Sequence, residues 1–303
     1  MCKCSEGVTR RQAMQTVAAA AAAFAAASLP LGWARAADGK TRKVLFFTKS
    51  AGFEHSCIKR EKADALSHAE KILVELGKSS HFEVTATKDG SYFTPEKLAE
   101  FDVVAFYTTG DLTQPSNDFS TPMPAGGKEA LLKFIESGKG FVGFHCASDT
   151  FHGGEDDAAD PYIKMIGGEF DGHGGQQKSK IRSVKGFAPL KDYADFEVEE
   201  EWYVFRNLAP DMHVVLVQET QTMSEDMYKQ RKPFPETWAR MQGKGRVFYS
   251  SMGHREDVWT NPLFHQVILG GLAWAAGNVE ADVKPNLKEA CPEAEKVRKS
   301  TTA

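Results

Sequence analysis

The sequence predicts a three-layer α/β fold, flavodoxin-like or Rossmann-like, with a mainly parallel central sheet and an elaborated C-terminal half. Two observations point there. Short apolar runs of strand length, bounded by charge or glycine, alternate with amphipathic stretches of helical period. The runs are also apolar at successive positions, the pattern of strands covered on both faces. In the first half, Lys43–Thr48 is such a strand. Arg60 to Gly77 follows as a helix, with Ala63, Leu66, Ala69, Ile72, Leu73 and Leu76 on one face. His81–Thr87 is the second strand, Pro95 opens a helical turn, and Phe101–Thr108 is the third strand. Gly127–Ser137 is a helix closed by Gly138, and Gly140–His145 is a fourth strand.

The second half is richer in strands, at Lys180–Val184, Phe196–Val198, Val214–Gln218, Thr237–Met241 and Arg246–Ser250, before an apolar helix from Phe264 to Ala276. No repeat and no Pro/Ser linker interrupts residues 40–279, so one domain is expected. Residues 280–303 are charged, carry Pro285 and Pro292, and are expected to form a surface or frayed tail.

The first 36 residues are set apart as an export signal. Thr9-Arg10-Arg11-Gln12 precedes an apolar run from Val17 to Ala27, and Ala34-Arg35-Ala36 supplies an A-x-A cleavage site. The paired arginines are those of a twin-arginine signal, which implies a periplasmic or otherwise exported protein. The run is too short to span a bilayer, which needs about 20 residues. Cleavage after Ala36 would turn 303 residues at net −4 into 267 at −7, since Lys3, Arg10, Arg11, Arg35 and Glu6 depart together. Such a balance argues against nucleic acid as a partner. Only Cys57, Cys146 and Cys291 would remain, an odd number that leaves at least one thiol free or paired between chains.

Open parallel sheets bind ligands beyond the carboxyl ends of their strands, so the residues there are the candidates for chemistry. His55 follows the first strand and Asp111 the third. His145 and Asp149 follow the fourth, and His254 follows the last. Histidine is the side chain most easily tuned for proton transfer near neutral pH. His145 and His254 are therefore assigned to catalysis, with Asp149 orienting a histidine. The glycine-rich stretch Gly167–Gly175 reads as a loop or lid that brings His173 over the sheet edge. His55, His173, Glu201 and Asp111 complete a substrate pocket, and Trp202 and Tyr203 offer it an aromatic face. These imidazoles and carboxylates also suit a divalent metal ion, while the spacing of Glu169, Asp171 and His173 matches no tight metal motif. No dinucleotide fingerprint or P-loop is present.

Gly143-Phe144-His145-Cys146-Ala147 resembles the nucleophile elbow of class I glutamine amidotransferases, and His254-Arg255-Glu256 resembles their H-x-E pair. The nucleophile position is His145, and Cys146 stands one residue late. More of the chain, from Lys43 to about Val279, resembles the trehalose-utilisation (ThuA-like) family of the same superfold. The resemblance rests on Gly52-Phe53-Glu54-His55, on Gly143-Phe144-His145 leading to Asp149-Thr150, and on Gly167-Gly168-Glu169-Phe170 with His173. It extends through Glu200-Glu201-Trp202-Tyr203, Gly245–Tyr249 running into Gly253-His254, and Trp274-Ala275-Ala276-Gly277. It implies bacterial sugar use, including disaccharides oxidised to keto forms, and loss of the superfold's cysteine nucleophile. The combined expectation is an exported hydrolase or lyase acting on a glycoside, disaccharide or keto-sugar by His/Asp acid–base chemistry. Two alternatives stand beside it: a non-catalytic carbohydrate-binding protein, and an amidotransferase-like hydrolase built on Cys146, His254 and Glu256.

Overall fold

In the computed structural model, residues 39–153, 158–229 and 232–294 are described. The export signal predicted at residues 1–36 lies outside them. The described strands are β1 Arg42–Phe47, β2 Phe82–Thr87, β3 Val103–Phe106, β4 Gly140–Phe144, β5 Glu169–His173, β6 Gln177–Ser183, β7 Phe196–Glu200, β8 Tyr203–Arg206, β9 His213–Glu219, β10 Phe234–Gln242 and β11 Gly245–Ser250. Nine form one sheet in the order β2-β1-β3-β4-β11-β10-β9-β6-β7, and β5 pairs with β8 in a separate ribbon.

Half of the large sheet is parallel. The neighbours β2, β1, β3, β4 and β11 run the same way, whereas β10, β9, β6 and β7 pair antiparallel in turn. Every residue of β3 and β4 is buried, as continuous apolar runs require of strands covered on both faces. Helices α1 His68–Ser79 and α2 Pro95–Leu98 serve the N-terminal side, followed by α3 Gly127–Glu136 and α4 Pro161–Ile166. The helix α7 Pro262–Ala275 comes after two shorter ones, α5 Asp226–Lys229 and α6 Glu256–Trp259. It lies so close on β11 that a Cβ at Gly271 would run into the Phe248 ring. No helix among the described residues is long and apolar enough to cross a membrane.

Three expectations are corrected. The first helix begins at His68 rather than Arg60, because a capping box starts it there. The Ser67 hydroxyl accepts from the Glu70 amide, and the Glu70 carboxylate accepts from the Ser67 amide. Arg60 then folds back onto that carboxylate, 2.8 Å away. The glycine-rich stretch is strand β5 rather than a loop, because β8 supplies its backbone partners. The tail lies on the surface as expected but is docked rather than frayed as far as Ala294: the Asn286 side chain caps both polar groups of Val214 on β9, and Leu287 of α8 Leu287–Ala290, Cys291 and Ala294 are buried.

The carboxyl ends of β1, β3, β4 and β11 face one edge, and β7 also ends there. Strand β7 stands four places from β11 in the order, yet the sheet coils enough for Glu200 at its end to accept from the Gly253 amide at 2.8 Å. This return places residues from distant strands together at one point.

Candidate active site and metal centre

Four side chains converge at that point: His55 after β1, His145 after β4, Glu201 after β7 and His254 after β11. Each offers a ligand-type atom, and these atoms lie within 4.8 Å of one another. The Glu201 carboxylate is the hub. Its Oε2 is 3.0 Å from His254 Nδ1 and 3.4 Å from His145 Nε2, and those two nitrogens are 3.3 Å apart. The rings of His145 and His254 stand edge-on to the His55 ring, with centroids at 4.9 and 5.2 Å.

His145 occupies the sharp turn that leaves β4 and has φ +43, in the left-handed region that non-glycine residues seldom enter. Strain of this kind persists only where surrounding contacts impose it. Here the Tyr249 hydroxyl donates to the His145 carbonyl at 2.6 Å, and His145 Nδ1 lies 2.7 Å from the Ser251 carbonyl. A carbonyl can only accept, so Nδ1 carries the proton and the Nε2 lone pair faces Glu201. This is how metal-binding histidines are oriented by an outer partner.

The turn bearing Ser251 and His254 is itself held by two buried carboxylates. Glu236 accepts from the Ser250 and Ser251 hydroxyls at 2.9 and 3.2 Å, from the Met252 amide at 3.0 Å and from the Thr237 hydroxyl at 2.5 Å. Glu200 accepts from the amides of Glu201, Gly253 and His254 at 2.7, 2.8 and 3.1 Å, which ties the hub to the histidine it meets. Gly253 has φ +121, open to glycine alone, and its carbonyl accepts from Tyr107 and Trp259 at 2.8 and 2.7 Å.

Burial drives the titration behaviour. His55 is pushed down to about 2 by burial, then by the positive fields of His145 and His254, so it is a neutral imidazole. Burial also lowers His145. Burial opposes protonation of His254 as well, but the Glu201 hydrogen bond and charge outweigh it and raise that residue. Glu201 stays well below the carboxylate range: burial would raise it, and the adjoining imidazoles of His145 and His254 more than reverse this. Three imidazoles and one carboxylate thus present their donor atoms inward.

A metal ion fits this set. Four ligands at ~2.1 Å in a tetrahedron lie about 3.4 Å apart, and the three contacts around Glu201 match that edge. His55 Nδ1 is buried with no hydrogen-bond partner. Leaving such an atom unpaired costs roughly 1–3 kcal/mol, which a bound cation would offset.

The other predicted residues divide. His173, on β5, has Nδ1 2.9 Å from the Gly174 carbonyl and 3.3 Å from Glu201 Oε1, so it donates on the solvent side of the hub. Tyr203 lies under the cluster, its ring 4.1 Å from that of His145. Asp149 pairs with His152 at 3.6 Å; the orienting groups of His145 and His254 are the Ser251 carbonyl and Glu201 instead. Burial raises Asp149 to about 6. Asp111 turns back on its own loop, accepting from Thr113 and Gln114. Trp202 is fully buried, with Nε1 donating to the Gln177 carbonyl at 2.7 Å, so it packs the core and offers no face to a ligand. Cys146 is buried, its thiol pushed far up by burial, and Glu256 is held low by its hydrogen bond with Ser56. Among the described residues Cys57, Cys146 and Cys291 are free and buried. A cavity of about 370 Å³ opens beside His254, lined by Ser56, Gln176, Arg255, Glu256 and Asp257.

Fold and site together define an α/β protein with a histidine–carboxylate centre at the carboxyl edge of its sheet. The chain belongs to the ThuA family, described as trehalose utilisation, whose model matches residues 43–275. A ThuA-like protein of Bacteroides uniformis superposes with a TM-score of 0.59 at 19% identity, over 78% of this chain and 91% of that one. One of Parabacteroides merdae gives 0.57 at 17% identity, over 80% and 93%. A cytoplasmic protein of Salmonella typhimurium gives 0.50 at 12% identity, over 77% and 98%. At these identities the likeness is one of fold. Among curated proteins none matches the chain.

Proposed function

We propose that this protein is a sugar-processing enzyme, acting on a glycoside, disaccharide or keto-sugar derivative, with a divalent metal ion held by His55, His145, Glu201 and His254. The observation that carries the reading is the convergence of those four donors within 4.8 Å, with His145 locked in the tautomer that turns a lone pair inward. A mixed imidazole and carboxylate set suits zinc and its transition-metal neighbours better than calcium or magnesium. When bound, such an ion supplies Lewis acidity toward a substrate oxygen. The chain's own groups do the remainder. Asp149, raised to about 6, holds a proton close to neutrality and serves as the acid, while His173 donates its Nδ1 proton beside the hub. The cavity at His254 presents donors on Ser56, Gln176 and Arg255 and acceptors on Glu256 and Asp257, as a polyhydroxylated ligand requires.

The sugar assignment is supported by the family's description. Export through the twin-arginine pathway to the periplasm belongs to the same proposal and rests on residues 1–36 alone. The test is to incubate the mature protein with trehalose and other glycosides, native and ring-oxidised, and to follow products by NMR. Turnover is expected, and His145→Ala and His254→Ala are expected to lower it by about 10²–10⁴-fold. Full activity in both variants would remove the cluster from the chemistry, and a bound sugar left unchanged would make the protein a carbohydrate-binding one.

A further inference from the structure

Two exposed aromatic rings stand on neighbouring loops, one of them beside the site. Phe53 and Phe119 are 69% and 65% exposed, far more than any other large hydrophobic residue described. Both are mounted rigidly. The Phe53 carbonyl accepts from the Thr109 hydroxyl at 2.9 Å, and that hydroxyl in turn accepts from the Gly52 amide. Phe119 has φ +62, a conformation costly for a bulky side chain. The neighbouring Asp118 imposes it by accepting from the hydroxyls of Ser116 and Ser120 and from the Ser50 amide.

One buried lysine joins the two mounts. Lys88 Nζ donates to Glu54 at 3.2 Å and to Asp118 at 3.2 Å, and these are the chain neighbours of Phe53 and Phe119. Lys88 and Asp118 are each 2% exposed, so the link is shielded from water. Phe53 also reaches the centre directly: its ring meets the His55 ring edge-on, with centroids 4.9 Å apart. Exposed rings and a strained backbone both oppose folding, so this arrangement points to a ligand that covers the rings. The place of Phe53 beside His55, with Phe119 on the loop that Lys88 ties to it, identifies that ligand as part of whatever occupies the centre.

We infer that Phe53 and Phe119 form an aromatic subsite that stacks on the apolar face of a second sugar ring, the one next to the ring held at the histidine–carboxylate centre. The inference rests on the sugar-processing reading and deepens it: the substrate class becomes disaccharides and glycosides with a cyclic second unit. Aromatic rings offer a flat apolar surface that matches the C–H face of a pyranose, and an aromatic contact contributes enough to change affinity several-fold.

The experiment measures binding of trehalose and of glucose to the metal-loaded protein by calorimetry, with Phe53→Ala, Phe119→Ala and Phe53→Trp variants and with metal content as a control. Expected are roughly five- to tenfold weaker trehalose binding in each alanine variant, near-normal binding in Phe53→Trp, unchanged glucose binding and full metal content. Asp118→Asn, which loosens the Phe119 mount, should weaken trehalose binding in the same direction. Wild-type trehalose affinity in both alanine variants would overturn the subsite. So would a wild-type dimer that the alanine variants dissociate, which would assign the rings to a contact between copies. A metal-loaded wild type that binds no sugar would instead overturn the sugar reading itself.

Discussion

Glu236→Ala is the substitution whose consequences follow most directly from the contacts. The residue is wholly buried and holds four donors from Thr237, Ser250, Ser251 and Met252. Removing the carboxylate strands them. The three hydroxyls can rotate toward other acceptors, whereas the Met252 amide keeps only a long contact, 3.4 Å, to the Ser250 hydroxyl. One poorly paired amide and at least one stranded hydroxyl cost roughly 1–3 kcal/mol each. Allowing for the cavity, the expected loss of unfolding free energy is about 3–5 kcal/mol. The same turn aims the Ser251 carbonyl at His145 Nδ1, so metal affinity should fall by about 10–100-fold in whatever protein remains folded. Urea unfolding measures the first effect and competition with a chromophoric chelator the second. Glu199→Ala, on an exposed side chain paired with Arg255, is the control and should stay within about 0.5 kcal/mol. A loss below about 1 kcal/mol together with wild-type metal affinity would refute the account of this turn.

Gly253→Ala should destabilise the fold by at least about 1 kcal/mol and weaken metal binding, because alanine is strained at φ +121; unfolding curves and chelator competition decide it. Asp149 gives a pH signature. Its folded value of about 6 exceeds the unfolded one, so the native state holds the extra proton and wild-type stability falls as pH rises from about 4 to 6. In Asp149→Asn that slope should flatten, leaving the variant more stable than wild type at pH 8 by up to ~2 kcal/mol, as read from urea midpoints across pH. As the acid, Asp149 also implies that kcat/KM falls above pH about 6 and that the variant loses this limb together with about 10²-fold in rate. Replacement of Arg10 and Arg11 by lysine should block export of a reporter fused behind residues 1–36, as fractionation would show.

The parallel half of the fold was legible because its strands are buried on both faces, and an unbroken run such as Val44-Leu45-Phe46-Phe47 then has few other readings. The antiparallel half was legible only in part. The ribbon of β5 and β8 escaped because Gly-rich sequence pairs poorly on propensity alone and is held here by its partner. Three of the four central residues stood out as histidines at strand ends, and Glu201 was assigned to the pocket without its place as hub. Glu200 stood only as part of a family segment with no role of its own, and Glu236 was missed altogether. Carboxylates in strands read as solvent-facing positions, and nothing local signals that backbone amides from residues 252–254 will converge on them. Trp202 erred in the other direction, since an aromatic beside a candidate site looks the same in sequence whether it faces a ligand or the core.

Elemental analysis of the tag-free protein tests the central claim most directly, when coupled to activity before and after chelation. The account predicts about one equivalent of a transition metal per chain. The ion should be retained in Trp202→Phe, lost in His254→Ala and restored to the chelated wild type together with turnover. A protein that carries only traces of metal and processes its sugar at an undiminished rate after chelation would contradict it.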